Sequence, residues 1–182
     1  MVKKILIGVA AVLGLAIVGI LGAASMQPES FAVKRSIEIK APAEKAQALV
    51  ADLHAWDKWS PWEKLDPAMK KTFSGAASGV GAVYEWTGNS DVGKGRMTIT
   101  AVDPGKSVKI KLEFLEPFQA TNDTEFTFAA AGEGTKVEWI MSGKNDNVMK
   151  KAMHMMMNMD KMVGGDFEKG LTALKGLVEK GS

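Results

Sequence analysis

Between residues 79 and 141 the chain alternates by two almost without pause. GVGAVYEWTG (79–88), GRMTITAV (95–102), SVKIKLEFL (107–115), NDTEFTFAAA (122–131) and TKVEWIM (135–141) set apolar side chains mostly at every second position. A pleated strand turns successive side chains to opposite faces, so each segment reads as a half-buried strand. GNSDVGKG, DPGK and AGEG stand between them, and clusters of Gly, Asn, Asp and Pro suit tight turns. Connections this short leave no room for the crossover helix of a parallel pair, so consecutive antiparallel hairpins are expected. One further short strand is expected over Lys70–Phe73.

Other elements bracket this series. FAVKRSIEIK (31–40) alternates with Phe31, Val33, Ile37 and Ile39 on one face, and Arg35 interrupts that face. Ala41-Pro42 ends the strand, and Ala43 to Ala55 reads as a helix with Ala46, Leu49, Val50 and Leu53 on its apolar side. From Asp166, DFEKGLTALKGLVEKG spaces Phe167, Leu171, Leu174 and Leu177/Val178 by threes and fours, an amphipathic helix facing a sheet. Gly164-Gly165 either separates it from the methionine-rich run before it or marks a weak point in one longer helix. The order strand, helix, antiparallel strands, terminal helix is met by an α+β domain in which one curved sheet grips the last helix.

The amino end is of another kind. After Met-Val-Lys-Lys, residues 5–24 (ILIGVAAVLGLAIVGILGAA) carry no charged or polar side chain. Twenty residues at about 1.5 Å each span roughly 30 Å, a bilayer's hydrocarbon thickness. The expectation is a short cytoplasmic tail (1–4), a transmembrane helix (5–24), a linker (25–30) and a domain over 31–182. A cleaved signal peptide is the rival, with small residues at Gly22 to Ser25, but the apolar run exceeds the roughly 7–15 residues of a signal core. Without cysteine the chain is no lipoprotein. Lys3 and Lys4 before the span favour the amino end inside and the domain outside, by the positive-inside rule. In a bacterium that is a single pass of the inner membrane with a periplasmic domain. Gly14, Gly19 and Gly22 would let two spans pack closely, which leaves the oligomeric state open.

Charge narrows the partners. Of 23 Lys+Arg and 21 Asp+Glu, Lys3 and Lys4 precede the span, and the remainder is balanced at 21 of each. A neutral domain lacks the basic excess that accompanies nucleic-acid binding.

The residues carry a resemblance. The opening strand running into IKAPAE, the helix running into WDKWSPWEKLDP, the strand GVGAVYEWTGN, then GKGRMTI, LEFLEPF and GTKVEW are similar to those of the SRPBCC (START/polyketide cyclase-like) superfamily, in particular its bacterial members with an amino-terminal span. The resemblance covers most of residues 31–182 and implies the helix-grip fold with an apolar cavity between sheet and terminal helix. Its known members include lipid carriers, hormone receptors, aromatase/cyclases and chaperone regulators, so the fold is implied more sharply than the function.

Alternation supplies the lining of such a cavity: Tyr84 and Trp86, Met97 and Ile99, Ile110, Leu112 and Phe114, Phe126 and Phe128, and Val137, Trp139 and Met141. Large flexible and aromatic side chains on one concave face suit a lipid, polyketide or aromatic ligand. The same residues would equally fill a solid core. Arg35, in register with the buried face, is a candidate contact for a ligand carboxylate or carbonyl, whereas Glu85 is out of step and faces away. Three tryptophans within WDKWSPWEK (56–64) read as a fold element covering one end of the cavity, with a cage for a cation as the alternative.

Chemistry has few handles. There is no cysteine, no G-x-S-x-G, and two histidines. His54 and Asp57 are the one candidate acid–base pair in sequence. Gly79, Gly81, Gly93 and Gly95 precede no helix and no G-K-[ST], so they read as strand kinks and not as a phosphate loop. Met149, Met153, Met155, Met156, Met157, Met159 and Met162 surround His154, and soft thioethers suit Cu(I). The expectation is a membrane-anchored binder of a hydrophobic small molecule or lipid, without a cofactor. A cyclase/dehydratase-type enzyme is the first alternative and a periplasmic copper-handling protein the second.

Overall fold

A computed structural model describes residues 2–156 and 158–181. They fall into two compact units, one of 1–31 with 144–159, the other of 32–143 with 160–182.

The smaller unit holds α1 (Val2–Ser25) and α3 (Val148–Met156), which pack on each other. Over Leu6–Ser25, α1 is long and apolar enough to cross a membrane. The linker is tied down, since the Asn145 amide N–H donates to the Glu29 carbonyl at 2.8 Å. Met149, Met153 and Met155 of α3 are exposed. The side chains of His154 and Met156, and the whole of Met157, lie outside the described residues, so the methionine–histidine cluster is seen only in part.

In the larger unit the described residues form one seven-stranded sheet ordered β1-β7-β6-β5-β4-β3-β2. The strands are β1 (Ser30–Ile39), β2 (Lys70–Gly75), β3 (Ala82–Thr87), β4 (Lys94–Asp103), β5 (Ser107–Glu116), β6 (Ala120–Ala131) and β7 (Gly134–Lys144). From β2 to β7 each pairs antiparallel with the next, as short turns require. Helix α4 (Met159–Lys180) lies on the inward face, burying Phe167, Leu171, Leu174 and Val178.

Two boundaries differ from expectation for a local reason. The first helix, α2 (Ala43–Ala51), stops short of Ala55 because the Asp52 carboxylate takes the His54 amide N–H at 2.9 Å and starts a 3-10 turn, Leu53–Lys58. Strand β3 begins at Ala82, not 79, since Gly79 and Gly81 have φ of 72° and 88° and form a turn. Helix α4 starts at Met159 and runs through Gly164-Gly165. The space a side chain would fill at Gly164 is taken by the Arg35 guanidinium, 2.2 Å from an ideal Cβ.

Helix α2 closes one end of the sheet. The buried Gln47 amide donates to the Asp103 and Ser107 carbonyls at 2.7 and 3.1 Å and accepts from Gly105 N–H at 2.8 Å, clasping the β4–β5 turn.

A graded inward face and its tryptophan plug

The tryptophan stretch fills part of the space between sheet and helix. Trp139 of β7 stacks on Phe167 of α4 at 4.2 Å with planes 2° apart. Phe126 of β6 lies 4.7 Å from Trp139. Trp56 and Trp59, 4.6 Å apart, set their edges against both rings at 5.6–6.1 Å. Trp62 meets Trp139 and Phe167 edge-on at 5.6 and 6.0 Å. Edge-to-face and offset contacts of this kind suit the ring quadrupoles. The 3-10 turn and the extended Ser60 before Pro61 aim the indoles inward. Two expected lining residues, Phe126 and Trp139, therefore belong to a packed cluster.

Away from this plug the face loosens. Along β5, Val108 and Ile110 are buried, while Leu112 and Phe114 on the same face are half-exposed. Their cross-strand neighbours are Met97 and Gly95 on β4 and Asn122 and Ala120 on β6. Beyond Met97 and Gly95 lie Tyr84 and Trp86 on β3. The Trp86 ring passes over Gly95, 2.3 Å from where a Cβ would stand, and its Nε1–H donates to the Val92 carbonyl at 2.9 Å. Met141 faces Thr124 across the β6–β7 ladder. The register thus brings Trp86, Met97, Ile110, Leu112, Phe114 and Met141 onto one surface, most accessible at the end bearing the β3–β4 and β5–β6 hairpins.

Two polar features went unpredicted. Asn122 and Thr124, 7% and 5% exposed, continue the inward row of Phe126 and Phe128. Alternation carried two steps back along β6 would have found them. The second is a polar triad around a buried carboxylate. The Tyr84 hydroxyl donates to Glu63 at 2.8 Å, and Lys71 pairs with the other oxygen of that carboxylate, whose side chain is 6% exposed. Burial first, then the Glu63 hydrogen bond, pushes the Tyr84 phenol far above its ordinary range. Nothing in the sequence joins Glu63 to Tyr84, because a loop and a strand bring them together.

Arg35 reaches α4, where Nε donates to Glu168 at 2.7 Å and Nη1 and Nη2 to Asp160 at 2.7 and 2.9 Å. Its hydrogen bonds to Asp160 and Glu168 raise its pKa, and the same bond holds the Asp160 carboxyl below its usual range. The guanidinium is thereby engaged as a strand–helix clamp across Gly164. His54 pairs with Asp52 at 3.4 Å, not with Asp57, because the Asp52 cap brings that carboxylate back on the imidazole. The ring is exposed and stacks on Phe73 at 4.1 Å. Among the described residues no cluster of His, Cys, Asp and Glu is arranged to hold a metal.

Comparison with known families places this architecture. The family described as polyketide cyclase / dehydrase and lipid transport matches residues 30–179. The chain belongs to that family. The polyketide cyclase / dehydrase domain thus covers both the graded face and the plug, and excludes α1. Solved structures share the fold at low identity. Protein CV1439 from Chromobacterium violaceum is 18% identical with a TM-score of 0.58, over 84% of this chain and 99% of that one. Protein MLL2253 from Mesorhizobium loti is 18% identical with a TM-score of 0.60, over 84% and 99%. The di-domain ARO/CYC StfQ from the steffimycin biosynthetic pathway is 10% identical with a TM-score of 0.61, over 83% of this chain and 51% of its own. No curated protein matches the chain.

Proposed function

We propose that the domain binds an apolar or amphiphilic small molecule on the inward face at its hairpin end, tethered to a membrane by α1. The observation that carries this reading is the gradient along β5, where one apolar row passes from buried Val108 and Ile110 to half-exposed Leu112 and Phe114. Apolar surface left accessible on the concave side of a sheet stays in water only at a cost of about 25 cal/mol per Å². Met97 and Met141 supply adaptable walls, and Trp86 a flat one. Family membership supports the reading, since its description joins cyclase and lipid-transport proteins. The flanking lysines favour a tether with the amino end in the cytoplasm and the domain on the far side of a bacterial inner membrane.

A cyclase-type enzyme is the second reading, and the Glu63–Tyr84–Lys71 triad is the observation in its favour. An acid–base pair works best when its pKa lies near the working pH. Tyr84 is driven away from that range, and the contacts of the triad join the Pro61–Lys64 turn to β2 and β3, so binding is preferred.

The test uses the full chain, purified in detergent. Native mass spectrometry with solvent extraction should find a co-purifying apolar molecule, and 2-ethylnaphthalene should give a saturable one-to-one heat above an empty-micelle blank. Absence of both refutes the binding reading. Intact mass of the cellular product tests the tether, and loss of residues 1–24 refutes it.

A further inference from the structure

The inward face carries more polar capacity than the fold uses. Thr124 is 5% exposed, and its Oγ1 has no hydrogen-bond partner among the described residues. A buried hydroxyl in that condition costs on the order of 1–3 kcal/mol. Asn122, one inward step away on β6, donates to the Met141 thioether at 3.9 Å, a weak acceptor at long range. Trp139 lies one inward step along β7 from Met141, the cross-strand partner of Thr124. Its Nε1–H is also buried and without a partner among the described residues. Asn122 and Thr124 thus flank Met141 from the neighbouring strand, and Trp139 stands in the same inward row of β7 as Met141. Their other neighbours are Ile110, opposite Thr124, and half-exposed Leu112, opposite Asn122.

We propose that Asn122 and Thr124 form a hydrogen-bonding subsite for an uncharged oxygen of the bound molecule, a carbonyl or hydroxyl. This rests on the binding reading above and names the class of ligand, an oxygenated hydrophobe and neither a plain hydrocarbon nor a carboxylate. The Thr124 hydroxyl and the Asn122 amide can each donate to an oxygen, so a carbonyl or hydroxyl complements them. Charge decides the rest. Arg35 is committed to Asp160 and Glu168, and Lys71 to Glu63. A buried carboxylate would thus enter without either cation as counter-ion, at a cost above that of a neutral carbonyl.

Calorimetry on the detergent-solubilised full chain tests this with three probes of one shape: 2-acetylnaphthalene, 2-ethylnaphthalene and 2-naphthoate. The ketone should bind about tenfold more tightly than the hydrocarbon, about the worth of one hydrogen bond in a dry site, and more tightly than the carboxylate. Thr124→Val should abolish the preference for the ketone and leave 2-ethylnaphthalene unchanged. The same variant should melt no lower than the parent, because it removes an unpaired hydroxyl. Equal binding of ketone and hydrocarbon overturns the subsite while leaving the binding reading intact. So does a preference that survives Thr124→Val, or a melting point lowered by Thr124→Val, which would mean the hydroxyl is held internally. Tightest binding of 2-naphthoate overturns the uncharged class. If no probe binds, subsite and binding reading fall together.

Discussion

Gly165 and Gly170 stand in the interior of α4, and replacing either by alanine removes the same backbone penalty, about 0.8–1 kcal/mol in a helix. Their surroundings differ. At Gly165 nothing lies within 4 Å of a new Cβ. At Gly170 the Cβ would stand 2.9 Å from Trp139 Cζ3 and 3.2 Å from Pro61 Cδ. Carbon atoms rest at about 3.5–4.0 Å, and neither neighbour is a flexible tip. Trp139 is held by Phe167 at 4.2 Å and Phe126 at 4.7 Å, and Pro61 is a ring in the 3-10 turn carrying Trp62. Overpacking of this kind costs typically about 1–3 kcal/mol. Because the helix gain is common to both variants, that cost is the difference between them. Gly165→Ala should be more stable than the parent by about 1 kcal/mol. Gly170→Ala should range from no gain to a loss of about 2 kcal/mol. At about 3 °C per kcal/mol for a chain of this size, the melting points should differ by roughly 3–9 °C. Thermal unfolding of the two detergent-solubilised proteins under one set of conditions reads this directly. If Gly170→Ala gains as much as Gly165→Ala, the plug does not press on the helix, and the packing described here is wrong.

Phe167→Ala removes the ring stacked on Trp139 and should lower stability by about 3–5 kcal/mol in denaturant titration, with the tryptophan emission moving to the red as the plug is wetted. Leu112→Trp should cut saturable binding of 2-ethylnaphthalene at least tenfold while leaving the melting point nearly unchanged, since Leu112 is half-exposed and a larger ring there fills the proposed site. Asp160 has a carboxyl pKa lowered in the folded state, so its pairing stabilises fully above the ordinary carboxylate range and is lost as pH falls through the lowered value. Asp160→Asn should therefore lose less melting temperature than the parent between about pH 5 and about pH 3, and a parallel decline would remove Arg35 from the account.

Period-two alternation made the strands readable because each needs only its own neighbours to declare a buried face. The same rule reached Met97, Ile110 and Leu112, and, extended two steps, would have reached Thr124 and Asn122. What stayed hidden depends on partners distant in the chain. Whether Gly164 broke the helix stayed open because its use is to admit Arg35, whose acidic partners lie 125 and 133 residues away in sequence. The tryptophans announced a cluster by their spacing, but Phe167, Trp139 and Phe126 complete it from other elements. Asp52 shortened the first helix through one side-chain hydrogen bond, which competes with helix on nearly equal terms.

The Arg35 clamp also sets an order of events. A ribosome makes Arg35 well before Asp160 and Glu168, and β1 closes the sheet beside β7, the last strand to be synthesised. The opening strand of the domain must wait for the closing elements, and contacts so far apart in sequence form late. A chain halted before residue 160 would carry all seven strands without the helix that they grip, and Arg35 without either of its acidic partners.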